Sequence, residues 1–304
     1  MTVHVAVLMG GWSAERDVSL VSGRAVANAL KSRDYQVTEI DVGRDLAAEL
    51  RAVAPDVVFN ALHGQGGEDG CVQGLLEVMR LPYTHSGVMA SALAMDKPRT
   101  KKMLAAYGIP VAADKVVSSE ALFSGDPLPR PYVIKPYNEG SSVGVCIVTD
   151  DTILRPDMDG PWQSCEELMV EAYLPGRELT CTVMGGKALA ITELKPKAGF
   201  YDYNAKYQDG RTEHVLPAKL NSEMTEKIMG YAKLAHDVLG CKGVSRADFR
   251  LDDSEAGDHV PYILEVNTQP GMTPLSLAPE QAAYKGLSFA DLVVWMVEDA
   301  SCQR

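Results

Sequence analysis

The chain carries no CxxC pair, no HExxH, no surplus of basic charge and no apolar run near the ~20 residues a helix needs to cross a bilayer. Its six cysteines, at 71, 146, 165, 181, 241 and 302, follow no disulfide-like spacing and are too sparse for a stapled secreted scaffold. They read as reduced thiols of a cytoplasmic protein. The apolar start at 3–9, with no basic segment before it and no small-residue cleavage site after it, gives no sign of a leader. The six histidines form no cluster with metal-ligand spacing, so zinc chemistry is not expected. Forty-one acidic residues against 29 basic leave a net charge of −12, which argues against a nucleic-acid partner, because backbone binding relies on summed positive charge. Screening limits a surface charge to about 8 Å at physiological salt, so local Lys and Arg clusters can still hold a nucleotide. There is no G-x-x-x-x-G-K-[ST], and Gly10-Gly11 lacks the G-x-G-x-x-G spacing, which excludes a P-loop and weakens the case for a dinucleotide fold.

What is present is a soluble, globular α/β chain. Hydrophobic residues at 46% against 23% charged exclude disorder and fibre, and 304 residues suffice for two domains or three small ones. Residues 3–9 form a β-branched apolar run that ends at Gly10-Gly11, which predicts a buried parallel strand closing in a tight turn. Val18, Val21, Ala25, Ala29 and Leu30 recur at spacings of three and four, which predicts a helix over 13–31 with these residues on its apolar face and Ser13 as N-cap. A strand at 36–41, a helix at 46–53 and a strand at 56–62 continue the alternation of a parallel sheet with crossover helices. Residues 1–95 therefore read as one α/β domain. Ligands of such sheets sit beyond the carboxyl ends of the strands, where this chain has Gly10-Gly11-Trp12-Ser13-Ala14-Glu15 and the glycine-rich loop 63–70.

Past Asp96 the texture changes. A basic helix at 97–107, a Pro-rich stretch at 125–131 and strands at 132–135 and 143–148 are expected. A hairpin of 178–184 with 188–194 turns at Gly185-Gly186, a helix covers 222–239, and a long hairpin pairs 245–251 with 262–267.

Three segments could carry chemistry. Lys135-Pro136-Tyr137-Asn138-Glu139-Gly140-Ser141-Ser142-Val143-Gly144 offers backbone N–H groups, two hydroxyls and a lysine, a set able to cradle a polyphosphate; the bland alternative is a glycine-rich turn. It also fits the G-x-S-x-G elbow of serine hydrolases around Ser142. A strand-like run follows it, however, where the elbow needs a helix, so it reads as a hairpin tip. In the second hairpin, period two puts Glu265 and Asn267 on one face roughly 7 Å apart. A turn near Ala256 would set Asp248 opposite Glu265, three oxygen donors suited to Mg2+ bridged by phosphates. A one-residue slip would turn Asp248 away, leaving polar residues on a solvated edge. Arg246 shares that face and could stabilise charge developing in group transfer, or simply pair with Asp248 or Glu265. The third segment, Gly199-Phe200-Tyr201-Asp202-Tyr203-Asn204-Ala205-Lys206-Tyr207, has no clear period and reads either as a lid or as a surface loop packing its aromatics on the body.

Together with Gly10 to Arg16, His63 to Gly70, Met95-Asp96-Lys97 and the turn Thr268-Gln269-Pro270-Gly271-Met272-Thr273, these segments resemble the D-alanine:D-alanine ligases of the ATP-grasp superfamily over essentially the whole chain. The resemblance implies an α/β (α+β multi-domain) chain: an N-terminal parallel-sheet domain at 1–95, then an ATP-grasp fold of two β-rich subdomains at 96–176 and 177–304, with a lid loop at 199–214. It implies ATP-dependent joining of two D-alanines through a D-alanyl phosphate, for peptidoglycan precursors, in a cytoplasmic homodimer. Lys97, Lys135 and Lys206 would contact phosphates, with Glu139 and Ser142 also at the nucleotide. Glu171, Tyr173 and Leu174 would meet adenine, and Glu178 the ribose. Asp248, Glu265 and Asn267 would bind two Mg2+, replaceable by Mn2+. Glu15 would hold the first D-alanine's ammonium with His63 nearby, and Ser276 and Leu277 would receive the second substrate's carboxylate. Arg246 and the Gly271 N–H would form the oxyanion site, while Glu15, Ser141 and Tyr207 would close the lid. Tyrosine at 207 resembles dipeptide-forming rather than D-lactate-using ligases. The sequence departs from the family pattern at Arg250, where an apolar residue is usual, and at Ala172, where lysine is common.

Overall fold

The computed structural model describes residues 2–138, 144–156, 159–163, 165–196 and 212–304. Three sheets organise them. The first is parallel, with strand β1 (His4–Met9) between β2 (Gln36–Asp41) and β3 (Val57–Asn60), connected through helices α1 (Arg16–Lys31) and α2 (Leu46–Val53). Helices α3 (Cys71–Met79), α4 (Val88–Met95) and α5 (Lys97–Ala106) follow. The second sheet is antiparallel, in the order β4 (Asp114–Ser118), β7 (Glu167–Ala172), β5 (Tyr132–Lys135), β6 (Cys146–Val148). The third, also antiparallel, runs β10 (Thr212–Val215), β9 (Lys187–Pro196), β8 (Arg177–Met184), β11 (Val244–Leu251), β12 (Pro261–Asn267). Helix α6 (Ser222–Leu239) precedes β11, and α7 (Leu277–Tyr284) and α8 (Phe289–Glu298) follow β12.

Local chemistry explains the element boundaries. Asp96 caps α5 by accepting from the Arg99 N–H at 3.0 Å, with Pro98 in the first turn, where no amide donor is needed. Asn221 caps α6 through the Met224 N–H at 2.7 Å, and Gly240, at φ +72°, ends it in the left-handed conformation. Helix α1 differs from the expectation at both its cap and its face. It begins at Arg16, with Glu15 at the cap position, because the Ser13 hydroxyl instead donates to the His63 carbonyl at 2.6 Å and accepts from the Glu15 N–H. Val21 is exposed, and Ser19, Ser22 and Gly23 face inward beside Val18 and Val26. Burial of Ser19 is compensated: its hydroxyl accepts from the Gly10 N–H at 2.9 Å and donates to the Ala61 carbonyl at 2.8 Å, tying two strand ends to the helix.

Two large cores join distant parts of the chain. Val5, Val7, Val26 and Leu30 pack with Leu292, Val293 and Met296 of α8. Ala90, Leu104 and Ile109 share a core with Phe249 and Ile263 of the third sheet and with Ile228, Ala232 and Leu239 of α6. The first sheet's ends and the third sheet's hairpin are thereby brought to one place. Among the described residues no helix is long and apolar enough to cross a membrane.

Candidate active site

One cleft, open to solvent at its mouth, lies where the loops after β1 and β3 meet the face of β11 and β12. Its position beyond the carboxyl ends of the parallel strands is the one expected for a ligand site. Glu15 and His63 line it from the first sheet, and Lys97 from the start of α5. Arg246, Asp248, Glu265 and Asn267 line it from the long hairpin, and Gly271, Ser276 and Leu277 from the turn beyond.

The hairpin has the register expected for a turn near Ala256. Asp248 faces Glu265 and Arg246 faces Asn267, with an irregularity only after Asp248. Arg246 grips Asp248 in a two-pronged pair, Nε to Oδ1 at 2.9 Å and Nη2 to Oδ2 at 2.8 Å, while the Thr180 hydroxyl donates to Oδ1 at 2.7 Å. The simple salt bridge weighed for Arg246 is therefore made. Lys97 Nζ stands 3.3 Å from Glu265 Oε2. Asn267 Oδ1 accepts from the Gln269 N–H at 3.0 Å, which fixes the amide plane. Among the described residues no group of three His, Cys, Asp or Glu gathers as a metal cage; the donors on offer are two carboxylates and an amide oxygen.

On the opposite wall, Ser22 Oγ lies 3.3 Å from His63 Nε2, and Glu68 Oε2 lies 4.0 Å from His63 Nδ1. Glu68 is itself held by the Gly64 N–H at 2.9 Å. The two walls are stitched by Gln269, which accepts from Asn60 Nδ2 at 3.0 Å and donates to the Leu62 carbonyl. In the turn after β12 a Cβ on Gly271 would lie 2.9 Å from Ser276 Oγ, the hydroxyl that accepts from the Thr273 N–H at 2.9 Å, so a side chain there must displace that hydroxyl. Backbone can thus approach a ligand closely at this point.

Lys135, Glu171, Tyr173, Leu174 and Glu178 do not line this cleft. Glu171 is buried between two lysines, Lys135 Nζ at 2.6 Å from Oε2 and Lys101 Nζ on Oε1, with Lys101 also 3.2 Å from Asp114 Oδ1. Burial pushes the Glu171 carboxyl up, but Lys135 and Lys101 outweigh it and hold the group below the usual carboxylate range. Glu178 pairs with Arg250, Nη2 to Oε2 at 3.4 Å, and the Tyr173 N–H donates to the Pro131 carbonyl at 3.2 Å. Glu139, Ser141, Ser142, Lys206 and Tyr207, with most of the 199–214 loop, lie outside the described residues.

Sequence reasoning passed over Lys101, and named Gln269 and Thr273 only as members of the turn after the acids. Lys101 had a signal, since it repeats Lys97 at a helical spacing of four and so shares its side of α5.

The chain matches the family model for the D-ala D-ala ligase C-terminus over residues 103–298 and that for the N-terminus over 45–86. It is 58% identical over 302 residues to the D-alanine–D-alanine ligase of Erythrobacter litoralis, covering 98% of this chain and 93% of that one. To the D-alanine–D-alanine ligase of Agrobacterium fabrum it is 56% identical over 304 residues, covering 99% of each. A crystal structure of D-alanine–D-alanine ligase from Bacillus anthracis complexed with ATP matches with a TM-score of 0.82 at 29% identity, over 98% of this chain and 97% of the other. A family model over more than half of the chain, and identity above one half from end to end, establish that this chain belongs to the D-ala D-ala ligase family.

Proposed function

We propose that the chain joins two D-alanines to D-alanyl-D-alanine at the expense of ATP, through a D-alanyl phosphate, with release of ADP and phosphate for peptidoglycan precursor synthesis. The observation that carries this is the meeting, in one cleft, of the Asp248–Glu265 pair and its cations with Glu15 and His63 from the parallel sheet. Acids and cations on one wall suit a nucleotide's phosphates, and the other wall suits a small zwitterion.

In this reading Glu15 receives the ammonium of the first D-alanine, whose carboxylate attacks the γ-phosphate. Lys97 exchanges its contact with Glu265 for phosphate oxygens, and Lys135 and Lys206 contact phosphates with Glu139 and Ser142 beside them. The second D-alanine places its carboxylate at Ser276 and Leu277, and its amine attacks the acyl carbon. Arg246 and the Gly271 N–H then stabilise the negative charge that gathers on oxygen, donors worth most when fixed in advance in a dry site. Glu15, Ser141 and Tyr207 close the lid, since an acyl phosphate open to water would hydrolyse. Glu171, Tyr173 and Leu174 serve adenine, and Glu178 the ribose. Asp248, Glu265 and Asn267 are hard oxygen donors of the kind Mg2+ selects, and bound ions there would offset the charge of the β- and γ-phosphates. We place the enzyme in the cytoplasm as a homodimer.

Phosphate release from Mg-ATP, measured in parallel with D-alanine, with L-alanine and with neither, tests the reading. Release with D-alanine alone, matched mole for mole by dipeptide, is expected. No release with D-alanine would overturn it.

A further inference from the structure

Along β11 the side chains alternate. Ala247, Phe249 and Leu251 are buried in the core shared with α6, so Arg246, Asp248 and Arg250 share the opposite face, the one that floors the cleft. Arg250 is one dipeptide step, roughly 7 Å, beyond Asp248, and therefore lies on the far side of the acidic pair from Arg246. Its neighbour in register on β8 is Glu178.

The guanidinium is held at both ends. Nη2 stands 3.4 Å from Glu178 Oε2, and Nη1 donates to the Gly176 carbonyl at 3.1 Å. Gly176 cannot drift: it has φ +90°, and a Cβ there would lie 2.3 Å from the Leu251 carbonyl, so the turn before β8 is seated directly on the end of β11. The Arg250 and Glu178 side chains are only 14% and 15% exposed. A partly buried, backbone-anchored arginine thus pairs with a carboxylate on the same face of the sheet as Asp248, outside the lining of the cleft itself. A carboxylate has about four lone-pair sites, so one contact with Arg250 is compatible with accepting from two vicinal hydroxyls as well.

We propose that Arg250 is the positioning residue of the ribose subsite: it holds Glu178 ready for the 2′ and 3′ hydroxyls and so sets how strongly this ligase selects ribonucleotides. The inference rests on the ribose reading of Glu178 given above. A carboxylate that loses this anchor defers part of its ordering to binding, and the cost would appear in nucleotide affinity rather than in the chemical step.

The experiment compares kcat and KM for ATP and for 2′,3′-dideoxy-ATP in the wild type and in Arg250→Met, Arg250→Lys and Glu178→Gln, with D-alanine and Mg2+ saturating. For Arg250→Met, KM for ATP rises several-fold, as for the loss of one partly buried ion pair, with a smaller change in kcat. The preference for ATP over the dideoxy nucleotide falls by a similar factor. Arg250→Lys keeps a cation without the fork and gives an intermediate preference. A wild-type preference in Arg250→Met, or an equal rise in KM for both nucleotides, overturns the inference. Glu178→Gln separates the two layers. If it retains the wild-type preference, the ribose reading of Glu178 fails and the inference falls with it; if it loses the preference while Arg250→Met keeps it, only the role of Arg250 fails.

Discussion

Replacing Lys101 by methionine should destabilise the protein by roughly 3 kcal/mol at neutral pH, the lower end of the ~3–5 kcal/mol typical when one partner of a buried ion pair is removed. Lys101 is 1% exposed and sits between two carboxylates, Glu171 and Asp114, which face each other across β7 and β4. Methionine keeps an unbranched apolar stem one heavy atom shorter than lysine's, so the main loss is the ammonium itself, with a smaller packing term where it stood. After the change Glu171 retains Lys135, which is why the lower end applies, but it then faces Asp114 with no cation between them. For a chain of this size a loss of that order should lower Tm by about 5 °C.

The pH dependence supplies a second readout. In the folded wild type the Glu171 carboxyl is held below its ordinary value; burial opposes this, and the two lysines outweigh it. A carboxyl depressed in the folded state adds stability that is fully present above its unfolded pKa and disappears as pH falls through the folded one. Without Lys101 burial regains weight and the depression shrinks. The Tm gap between wild type and Lys101→Met should therefore be widest near pH 7 and narrow as pH falls through the carboxylate range. Thermal melts between pH 7 and pH 4 measure it. Adding Glu171→Gln to Lys101→Met should recover part of the loss, because it removes the under-compensated charge. A gap that stays flat with pH, together with no recovery in the double variant, would refute the electrostatic account.

Two further predictions concern the cleft. Arg246→Ala should cost on the order of 10²-fold or more in kcat at saturating ATP, D-alanine and Mg2+, by analogy with removal of an oxyanion donor; a kcat within a few-fold of wild type under those conditions would remove Arg246 from the mechanism. Gly271→Ala brings a Cβ to 2.9 Å from Ser276 Oγ and should raise KM for D-alanine at least several-fold by shifting the hydroxyl that Thr273 holds, without a comparable change in KM for ATP; initial rates across both substrates decide, and a D-alanine KM within twofold of wild type would remove the turn from substrate binding.

The elements legible in the sequence are those whose burial has a local period. Strand β2 and helices α2 and α6 stand where the sequence reading put them; the first hairpin turns at its Gly185-Gly186 signal, and Asp248 pairs with Glu265 as a turn near Ala256 requires. Helix α1 departs from its expected face at Val21 because Ser19 turns inward, its hydroxyl serving the Gly10 amide and the Ala61 carbonyl, and from its expected cap because Ser13, ahead of the helix, donates to the His63 carbonyl. Apolar periodicity cannot register a face that is buried through hydrogen bonds. Helix α4, Val-Met-Ala-Ser-Ala-Leu-Ala-Met, has almost no polar side to contrast with its apolar one, so it carries no period to read.

Charge was the least legible property, for a physical reason. A net charge of −12 sums over the whole chain, whereas screening confines each exposed charge to about 8 Å. Inside and beside the cleft the cations come already paired: Lys97 with Glu265, Arg246 with Asp248, Lys135 and Lys101 with Glu171, Arg250 with Glu178. Each pair joins residues near in space but, except for Arg246 and Asp248, far apart in sequence, so no window of sequence contains both members. Reading α5 as a merely basic helix follows from that separation, since the acids that admit Lys101 to the interior stand on β4 and β7. The motifs could therefore identify which residues carry charge, but only the strand register and the packing of α5 decide which of those charges neutralise one another before a substrate arrives.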